Sequence, residues 1–383
     1  MPAASSSTHG IPVLEDLGDL AGKRVLVRTD WNVPIVDGKI SDDLRITASL
    51  PTLRWLVDQG AHVTVITHLG RPGGTVVPEL SVEPLRARLA ELVPEAEIRE
   101  NLRFDPGEVS DDPAFVARLV EGQDCYVNDA FGVSHRPHAS VVGPPRTLPS
   151  AAGRLLSREV EVLLGMREHP RRPFVVVLGG SKVSDKLGVI EALSSVADEL
   201  VVGGGMCFTF LAALGHPIGD SLFEPEHVDA CRELLDGPTK IHLPSDLVAM
   251  SGDGKLFDPA AGGEVRQIGV AVPDGWSAYD IGPGSAAEFA DVIAGAGTVL
   301  WNGPMGAFED ERFCAGTRTV AEAVADAHGF TVIGGGDSNA AIAQFGLRDR
   351  IDHASTGGGA SLELLELGDL PGLAALRGAP NVG

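Results

Sequence analysis

The chain has 383 residues, with 30 Lys and Arg against 53 Asp and Glu, and a formal net charge of −23. Apolar residues make up 44% and charged residues 22%, which is typical of a globular protein and not of a disordered chain. The charge argues against nucleic acid or an anionic membrane surface as a partner. No apolar run approaches the ~18 residues that a membrane helix needs. At roughly 100–200 residues per domain, the length predicts two or three domains.

The four cysteines show no pattern of a metal site or a disulfide framework. Cys125, Cys207, Cys231 and Cys314 are widely spaced and form no C-x-x-C pair. The first residues lack the basic and apolar regions of a signal peptide, and no N-x-[ST] sequon is present. We therefore expect reduced cysteines in a cytoplasmic protein.

Short apolar, β-branched runs recur along the chain, each ending in a polar or glycine cluster. They span residues 24–28, 61–67, 125–127, 174–178, 199–202, 298–301 and 331–333. Segments with helical periodicity lie between them, as at residues 50–57. This alternation predicts βαβ units and parallel sheets, in which ligands bind beyond the carboxyl ends of the strands.

A domain boundary is predicted near residues 168–173. Two prolines and two arginines there separate a long helical stretch, residues 150–167, from a new buried strand. Residues 1–170 carry 17 basic and 24 acidic side chains, a net charge of −7, and residues 171–383 carry 13 and 29, a net charge of −16.

Glycine clusters are concentrated in the second half of the chain, at residues 179–186, 203–205, 334–338 and 356–361. Each follows an apolar run and precedes a potential helix, so backbone N–H groups and a helix N-terminus would face an anion. One such cluster is equally typical of an ordinary strand-to-helix turn, but four at strand ends favour phosphate binding.

Lysine usage indicates the same chemistry. Of only six lysines, Lys182 and Lys186 lie four residues apart in one glycine cluster. If a helix starts near Ser181, both lie on one face, beside the positive end of the helix dipole, and a polyphosphate would relieve the repulsion. The alternative is a solvated lysine pair.

Known nucleotide motifs are absent or weak. The chain has no P-loop, G-x-x-x-x-G-K-[ST]. Residues 282–287 fit the loose dinucleotide pattern G-x-G-x-x-A, but late in the chain and with no clean strand expected before them. A dinucleotide-dependent dehydrogenase is therefore disfavoured.

Polar and basic residues of the first half lie at predicted strand ends or in loops. Arginine forks suit bidentate contact with phosphate or carboxylate, so converging arginines would hold a small anion. Singly, each arginine is better explained by a surface ion pair. His135 and His138 are candidate metal ligands, but no carboxylate or cysteine pattern accompanies them. The residues singled out are Asp30, Asn32, Arg45, His68, Arg71, Arg103 and Arg136.

Eight motifs in order along the chain resemble the phosphoglycerate kinase family. They occupy residues 28–34, 67–72, 100–103, 127–131, 178–186, 301–309, 334–338 and 355–361. The resemblance implies an α/β fold of two Rossmann-like lobes, each a parallel β-sheet flanked by helices, with the active site in the interlobe cleft. It implies an N-terminal lobe over residues 1–168 that binds 3-phosphoglycerate or 1,3-bisphosphoglycerate, a nucleotide-binding lobe over 174–365, and a tail, 366–383, that returns to the first lobe.

The resemblance also implies reversible phosphoryl transfer from 1,3-bisphosphoglycerate to ADP, giving 3-phosphoglycerate and ATP. Mg²⁺ would enter as Mg-ADP or Mg-ATP, and the enzyme would be a hinge-bending cytoplasmic monomer. The alternative reading is a non-catalytic descendant that binds a nucleotide or anion for regulation.

The family's functional residues are expected at matching positions of this sequence. The catalytic residues would be Arg45, Lys182 and Lys186. The glycerate would be bound by Asp30, Asn32, Arg45, His68, Leu69, Gly70, Arg71, Arg103 and Arg136. The nucleotide would be bound by Lys186, Gly203, Gly204, Asn302, Glu309, Gly335, Gly336, Asp337 and Ser338. Asp337 would be the residue nearest the metal, which the nucleotide phosphates carry.

Some positions depart from the family pattern. Ala278 stands where the family often has a glycine that touches nucleotide, and Gly284-Ser285 stands where bacterial members often have Lys-Thr. The tail also lacks the common Glu-Gly-Lys. These departures concern the adenine side of the nucleotide site and the return of the tail.

Overall fold

The computed structural model describes residues 8–380 and divides into two compact units. Unit 1 holds the described residues up to Leu163 and those from Leu367 onward, and unit 2 runs from Leu164 to Glu366. Among the described residues, no helix is both long and apolar enough to cross a membrane.

Unit 1 is built on one parallel sheet with helices around it. In chain order its elements are β1 (Arg24–Thr29), β2 (Ile35–Val36), β3 (Lys39–Ile40), α1 (Leu44–Asp58), β4 (His62–Ile66), α2 (Glu83–Leu92), β5 (Glu97–Ile98), α3 (Pro113–Val120), β6 (Cys125–Asp129), α4 (Ala139–Val142), β7 (Ser150–Ala152) and α5 (Arg154–Glu168). The chain passes into unit 2 within α5.

Unit 2 combines a parallel sheet with a smaller antiparallel one. Its elements are β8 (Phe174–Leu178), α6 (Leu187–Ser194), β9 (Glu199–Val202), α7 (Cys207–Ala213), α8 (Val228–Leu235), β10 (Lys240–His242), β11 (Asp246–Ser251), β12 (Val265–Gly269), β13 (Trp276–Ile281), α9 (Pro283–Ala294), β14 (Thr298–Asn302), α10 (Ala315–Asp326), β15 (Phe330–Gly334), α11 (Gly336–Gln344), β16 (His353–Ala354) and α12 (Gly359–Leu367). A last helix, α13 (Pro371–Arg377), belongs to unit 1.

The unit 1 sheet is entirely parallel, with strand order β5-β4-β1-β6-β7. Arg28 lies in register with Ile66 on β4 and with Asn128 on β6. Because the three strands end together, the residues that follow them emerge at one edge of the sheet. This edge carries several of the polar residues of unit 1 that the sequence singled out.

The larger sheet of unit 2 is also parallel, with strand order β10-β9-β8-β14-β15-β16. Asn302 on β14 is in register with Leu178 on β8 and with Gly334 on β15. The glycine clusters that follow these strands therefore meet at one edge. The fold is thus two α/β lobes of the predicted class, with β11, β12 and β13 added as an antiparallel sheet.

All seven strands predicted from apolar runs are present, but three local predictions are wrong. Residues 150–152 begin not a helix but β7, since they are buried and pair with β6. No helix starts near Ser181, because α6 begins only at Leu187. A clean strand does precede Gly282, since β13 ends at Ile281.

The helix α13 completes unit 1 from the far end of the chain. Leu370, Leu373 and Leu376 are buried, and Gly372 donates its N–H to the carbonyl of Ser134 at 2.9 Å. A Cβ at Gly372 would lie 2.9 Å from Val141 Cγ1, so glycine permits this close approach to α4. The last described helix is therefore part of the unit 1 core.

Candidate active site

A cluster of arginines and histidines lies at the carboxyl edge of the unit 1 sheet. We call it the unit 1 cluster: Arg28, Asp30, Arg45, His68, Arg103, Glu108, His138 and Ser140. It contains more guanidinium groups than carboxylates. Because its histidines are uncharged, as shown below, the cluster has surplus positive charge for an anion.

Arg28 forms the buried floor of this cluster. Its side chain is fully buried, and its Nε donates to Ser140 Oγ at 2.8 Å. Ser140 in turn donates to Glu108 Oε1 at 2.6 Å, and the Arg28 Nη2 lies 3.9 Å from the same oxygen. A buried charge needs such a partner. Burial raises the pKa of Glu108, opposed mainly by Arg28 and by the hydrogen bonds from Ser140.

Arg28 also determines the protonation of His68. Its Nη2 lies 3.2 Å from His68 Nδ1. Since a guanidinium only donates, Nδ1 accepts and the imidazole proton resides on Nε2. Burial, with the nearby Arg28, Arg103 and Arg45, holds the pKa of His68 well below 6.5. His68 is therefore a neutral imidazole with an N–H to donate from Nε2.

Asp30 links the cluster to the first turn of α1. Its Oδ2 accepts from Arg45 Nη1, and its buried Oδ1 has no hydrogen-bond partner among the described residues. Arg45 is about one third exposed. The ion pair therefore orients Arg45 while leaving part of its guanidinium accessible to a ligand.

Backbone contacts fix the loop after β4. Asn32 Oδ1 accepts from Gly70 N at 2.9 Å, and Arg103 Nη1 donates to the Gly70 carbonyl at 2.8 Å. Leu69 is buried and hydrogen-bonds Asn101 through both its backbone groups. Asn32 and Gly70 thus hold each other, while Arg103 Nε stays buried without a partner among the described residues.

Arg71 and Arg136 are exposed, and His138 is a partly exposed member of the cluster. Burial, followed by Arg103 and Arg28, lowers the pKa of His138 to about 4, so it is neutral at pH 7. His135 and His138 belong to no cluster of three or more potential metal ligands in residues 8–380. Their arginine neighbours disfavour a cation there.

A cavity of about 230 Å³, lined by charged, amide and glycine residues, lies at the carboxyl edge of the parallel sheet of unit 2. We call it the phosphate cavity, and the N-termini of α6, α11 and α12 meet at it. Helix N-termini present unpaired N–H groups and positive partial charge. Its lining includes Lys182, Asp185, Lys186, Asn302, Gly335, Gly336, Asp337, Ser338, Gly358 and Gly359.

Lys186 lies within this cavity, and its ammonium contacts the side-chain and main-chain oxygens of Asn302. Burial lowers the pKa of Lys186 to about 8, against the opposing charges of Asp337 and Asp185. Asn302 Nδ2 is buried without a partner among the described residues. A buried, unpaired N–H donor beside a lysine is a group that an anion would satisfy.

Gly335 and Ser338 contribute to the phosphate cavity in different ways. Gly335 has φ +92° and begins the turn into α11, which has no side-chain cap. Ser338 is buried, and its Oγ accepts from Gly303 N at 2.6 Å. Its hydroxyl proton is left to donate.

A second, more apolar cavity of about 300 Å³ adjoins the first. We call it the base cavity, and Gly180, Ser181 and Asp337 line both cavities. Its walls include Gly204, Phe208, Leu222, Leu247, Leu256, Ala278, Tyr279, Met305 and Ala307. An apolar cavity beside one lined by lysines and helix N-termini is the arrangement that a nucleotide requires.

Two predicted nucleotide residues lie outside the lining of both cavities. Gly203 is buried behind the base cavity, where a Cβ would lie 2.6 Å from Met305 Sδ. Glu309 is exposed, two residues beyond Ala307, which lines the base cavity.

The family model described as phosphoglycerate kinase matches residues 14–99 and 95–367. A phosphoglycerate kinase of Parafrankia sp. is 50% identical over 402 residues, covering 95% of this chain and 99% of the relative. That of Roseiflexus castenholzii is 48% identical, covering 94% and 98%. The structure of phosphoglycerate kinase from Coxiella burnetii matches with a TM-score of 0.87 and 37% identity, over 96% of this chain and 98% of that one.

The chain belongs to the phosphoglycerate kinase family. The family resemblance seen in eight motifs therefore extends over both units, and the two-lobed fold is shared with solved members.

Sequence reasoning about the phosphoglycerate kinase site missed Arg28, Glu108 and Ser140. Arg28 was counted as part of an apolar run, although an arginine at the end of a strand buried on both faces must have a partner. Glu108 and Ser140 carry no local signal, because only the fold brings them to Arg28.

Two backbone N–H groups of the dinucleotide-like segment, residues 282–287, already donate to a carboxylate of the protein. The Asp246 carboxylate accepts from Gly284 N at 3.1 Å and from Ser285 N at 2.6 Å, at the start of α9. A Cβ at Gly282 would lie 2.2 Å from this carboxylate. In this member of the phosphoglycerate kinase family, the pattern is thus an internal helix cap.

Proposed function

We propose that this chain carries out the reaction of its family with the glycerate on the unit 1 cluster and the nucleotide in the two cavities of unit 2. Family membership gives the reaction: reversible phosphoryl transfer from 1,3-bisphosphoglycerate to ADP, yielding 3-phosphoglycerate and ATP in glycolysis. The assignment of residues to roles is our proposal.

One observation carries the proposal for unit 2. The phosphate cavity collects Lys182, Lys186, an unpaired Asn302 amide and helix N-termini, and it shares three lining residues with an apolar cavity. We assign the base to the base cavity and the phosphates to Lys186, Gly335, Gly336 and Ser338. Glu309 and Gly204 would border the ribose and the base, and Gly203 supports the wall from behind.

In unit 1, the surplus of arginines over carboxylates supports binding of a small multiply charged anion. His68 would donate from Nε2, and Arg45, Arg71, Arg103 and Arg136 would pair with phosphate or carboxylate oxygens. Asp30 and Asn32 would orient the ligand hydroxyl and the loop that carries Leu69 and Gly70.

The site has a suitable ligand for Mg²⁺ brought by the nucleotide. Asp337 is exposed in the first turn of α11 and lines both cavities. Mg²⁺ is usually held by one or two carboxylates together with substrate phosphates and water. Asp337 would hold it, and the ion would neutralise charge on the phosphates.

The proposed mechanism needs no general base. In the direction of ATP consumption the nucleophile is a carboxylate, which is ionised at pH 7. Catalysis then depends on positioning and on neutralising charge on the transferring phosphoryl group. Arg45 on unit 1 and Lys182 on unit 2 are both accessible to a ligand, and the reaction requires the two bound ligands to meet.

The first experiment is a coupled assay with ATP, Mg²⁺ and 3-phosphoglycerate that follows ADP release. We expect activity that is lost when Mg²⁺ is chelated and restored when it is added back. A folded protein that binds ATP but releases no ADP above background would instead support the non-catalytic descendant.

The catalytic roles are tested by Arg45→Ala and Lys182→Ala. Charge contacts to a transferring phosphoryl group are worth ~10³–10⁵ in rate, so each variant should lose most of kcat while keeping its thermal unfolding midpoint. Arg86→Ala and Lys240→Ala, at exposed ion pairs, are matched controls. Near-normal turnover in either test variant contradicts its assignment.

We further propose that the enzyme works in the cytoplasm as a monomer. The four cysteines are all free thiols, which agrees with a reducing compartment. Size-exclusion chromatography with light scattering measures the oligomeric state directly.

A further inference from the structure

The segment that carries both catalytic lysines is a loop and not a helix. We call residues 181–186 the lysine loop; it connects β8 to α6. Val183 is fully buried and anchors its middle, while Lys182 is exposed. The Lys186 N–H bonds the Val183 carbonyl within the loop itself, at 2.9 Å. An exposed lysine on such a loop keeps one position only if a residue from another segment of the chain hydrogen-bonds the loop.

The carboxylate of Glu224 accepts hydrogen bonds from this loop. Its Oε2 accepts from Ser184 N at 2.9 Å and its Oε1 from Ser184 Oγ at 2.6 Å. The grip therefore uses both carboxylate oxygens and holds Ser184, two residues after Lys182.

The backbone that carries Glu224 is itself fixed to regular structure. Asp220 N donates to the Trp276 carbonyl at 2.8 Å on β13, and Glu224 N donates to Thr209 Oγ1 at 3.2 Å on α7. Between them, Ser221 Oγ accepts from Ala278 N at 3.0 Å. Glu224 thus projects from a segment held at both ends and not from a free loop.

We infer that Glu224 is a positioning residue for phosphoryl transfer, whose carboxylate holds the lysine loop so that Lys182 reaches the transferring phosphoryl group. This inference rests on the proposed role of Lys182. Binding of the base depends less on the loop, because Ser181 is the one lysine-loop residue that lines the base cavity. Misplacement of a reacting or charge-stabilising group by about 1 Å can cost ~10² in rate, so Glu224 should affect kcat more than KM.

The test variant is Glu224→Gln, which keeps the shape of the side chain but replaces one acceptor oxygen by a donor. We expect kcat to fall about tenfold or more, with the KM for ADP changed by less than about twofold. Glu226→Gln makes the same charge change on an exposed neighbour and should keep full kcat. An equal loss in Glu226→Gln, or full kcat in Glu224→Gln, overturns the inference.

A double-mutant cycle separates positioning from general stability. Because Glu224 acts through Lys182, Glu224→Gln should cost less than about twofold more when added to Lys182→Ala. If the full loss persists in that background, the positioning role is wrong but the proposed function stands. Full activity in Lys182→Ala would instead contradict the proposed role of Lys182.

Ser184→Ala tests the grip from the other partner. It removes one donor and leaves the Ser184 N–H in place, so a kcat loss of about threefold is expected. This loss should also disappear in the Lys182→Ala background. If Glu224→Gln proves too unstable to assay, Ser184→Ala decides the inference alone, and unchanged kcat overturns it.

Discussion

At the scale of single residues, burial determines how the charged groups of both sites behave. His68 is kept neutral by its burial and then by the neighbouring Arg28, and Lys186 is an ammonium with a pKa that burial lowers to about 8. The two residues would serve anions differently: His68 as a neutral donor at any pH near 7, Lys186 as a charge that titrates just above it.

The depressed pKa of Lys186 should make the proposed nucleotide binding pH-dependent. Polyphosphate favours the ammonium form, so ADP affinity should fall as pH rises through about 8, and binding should take up a proton above that pH. Isothermal titration calorimetry in buffers of different ionisation enthalpy measures both. Lys186→Met should bind more weakly at pH 7 and lose this pH dependence, whereas the exposed Lys240→Met should behave as wild type.

The same pKa has a stability consequence with a definite sign. Between about pH 8 and the ordinary value of 10.5, the folded chain binds fewer protons at Lys186 than the unfolded chain. Its contribution to the free energy of unfolding therefore rises with pH across that window.

For the binding prediction, an ADP affinity that stays unchanged from pH 7 to 9.5 would contradict the lowered pKa of the Lys186 ammonium.

At the scale of elements, the start of α5 depends on a buried carboxylate. Asp129 Oδ1 accepts from Leu155 N at 3.0 Å and from Leu156 N at 3.1 Å. A Cβ at Gly153 would lie 2.2 Å from this oxygen, so glycine is required before the helix. Burial raises the pKa of Asp129 to about 7, opposed by the nearby Thr52 hydroxyl and by the N–H groups of Leu156 and Leu155.

Asp129→Ala should lower the free energy of unfolding by about 1–2 kcal/mol, because both N–H groups lose their acceptor. Asp129→Asn keeps an acceptor oxygen and should cost less. Because the folded carboxyl binds its proton more tightly than the unfolded one, wild type should lose stability relative to Asp129→Asn as pH rises from about 4 to 7. Urea unfolding at several pH values measures the difference.

The matched control is Asp112→Asn in the exposed cap of α3, where Asp112 accepts from Phe115 N at 2.9 Å. An Asp129→Asn difference with no pH dependence beyond this control would argue against the raised pKa.

Elements differed in how far sequence could predict them. The interior strands of both parallel sheets were predictable, because strands buried on both faces read as continuous apolar runs. The short edge strands, which are β5, β7, β10 and β16, were not. The antiparallel sheet was not, since β12 is mostly exposed and has no such run. The helix expected near Ser181 failed for a different reason: Glu224 and buried Val183 hold that segment as a loop.

The candidate site was predictable where motifs are local and not where contacts are distant. Lys182, Lys186 and the glycines lie in short segments whose order alone indicates phosphate binding. Glu224 and Glu108 act on residues far away in sequence, so no spacing pattern reveals them. The structure adds these supporting carboxylates to a site otherwise outlined by its motifs.

At the scale of the whole molecule, unit 1 is assembled from both ends of the described chain. Arg377 Nε donates to the carbonyl of His9 at 3.1 Å, and α13 packs against α4. Gly372 also bonds the Ser134 carbonyl, two residues before Arg136. The far end of the chain therefore supports the segment that carries a proposed glycerate-binding arginine.

A chain ending at Asp369 should lose several kcal/mol of unit 1 stability, since burying each leucine contributes about 1.5–3 kcal/mol. Scanning calorimetry should show a lowered unfolding transition, and binding of 3-phosphoglycerate should weaken. A chain ending at Gly378 keeps α13 and is the control. Equal unfolding of the two truncated chains would show that α13 contributes little.

The carboxylate of Asp246 at the start of α9 has a consequence for how anions are sorted within unit 2. A helix N-terminus that already holds a side-chain carboxylate repels a second anion, so α9 would not compete for the nucleotide in the proposed assignment. The start of α11 has no side-chain cap, so it remains available. In the proposed assignment, the Asp246 carboxylate therefore helps to direct a bound anion to the start of α11 and away from the start of α9.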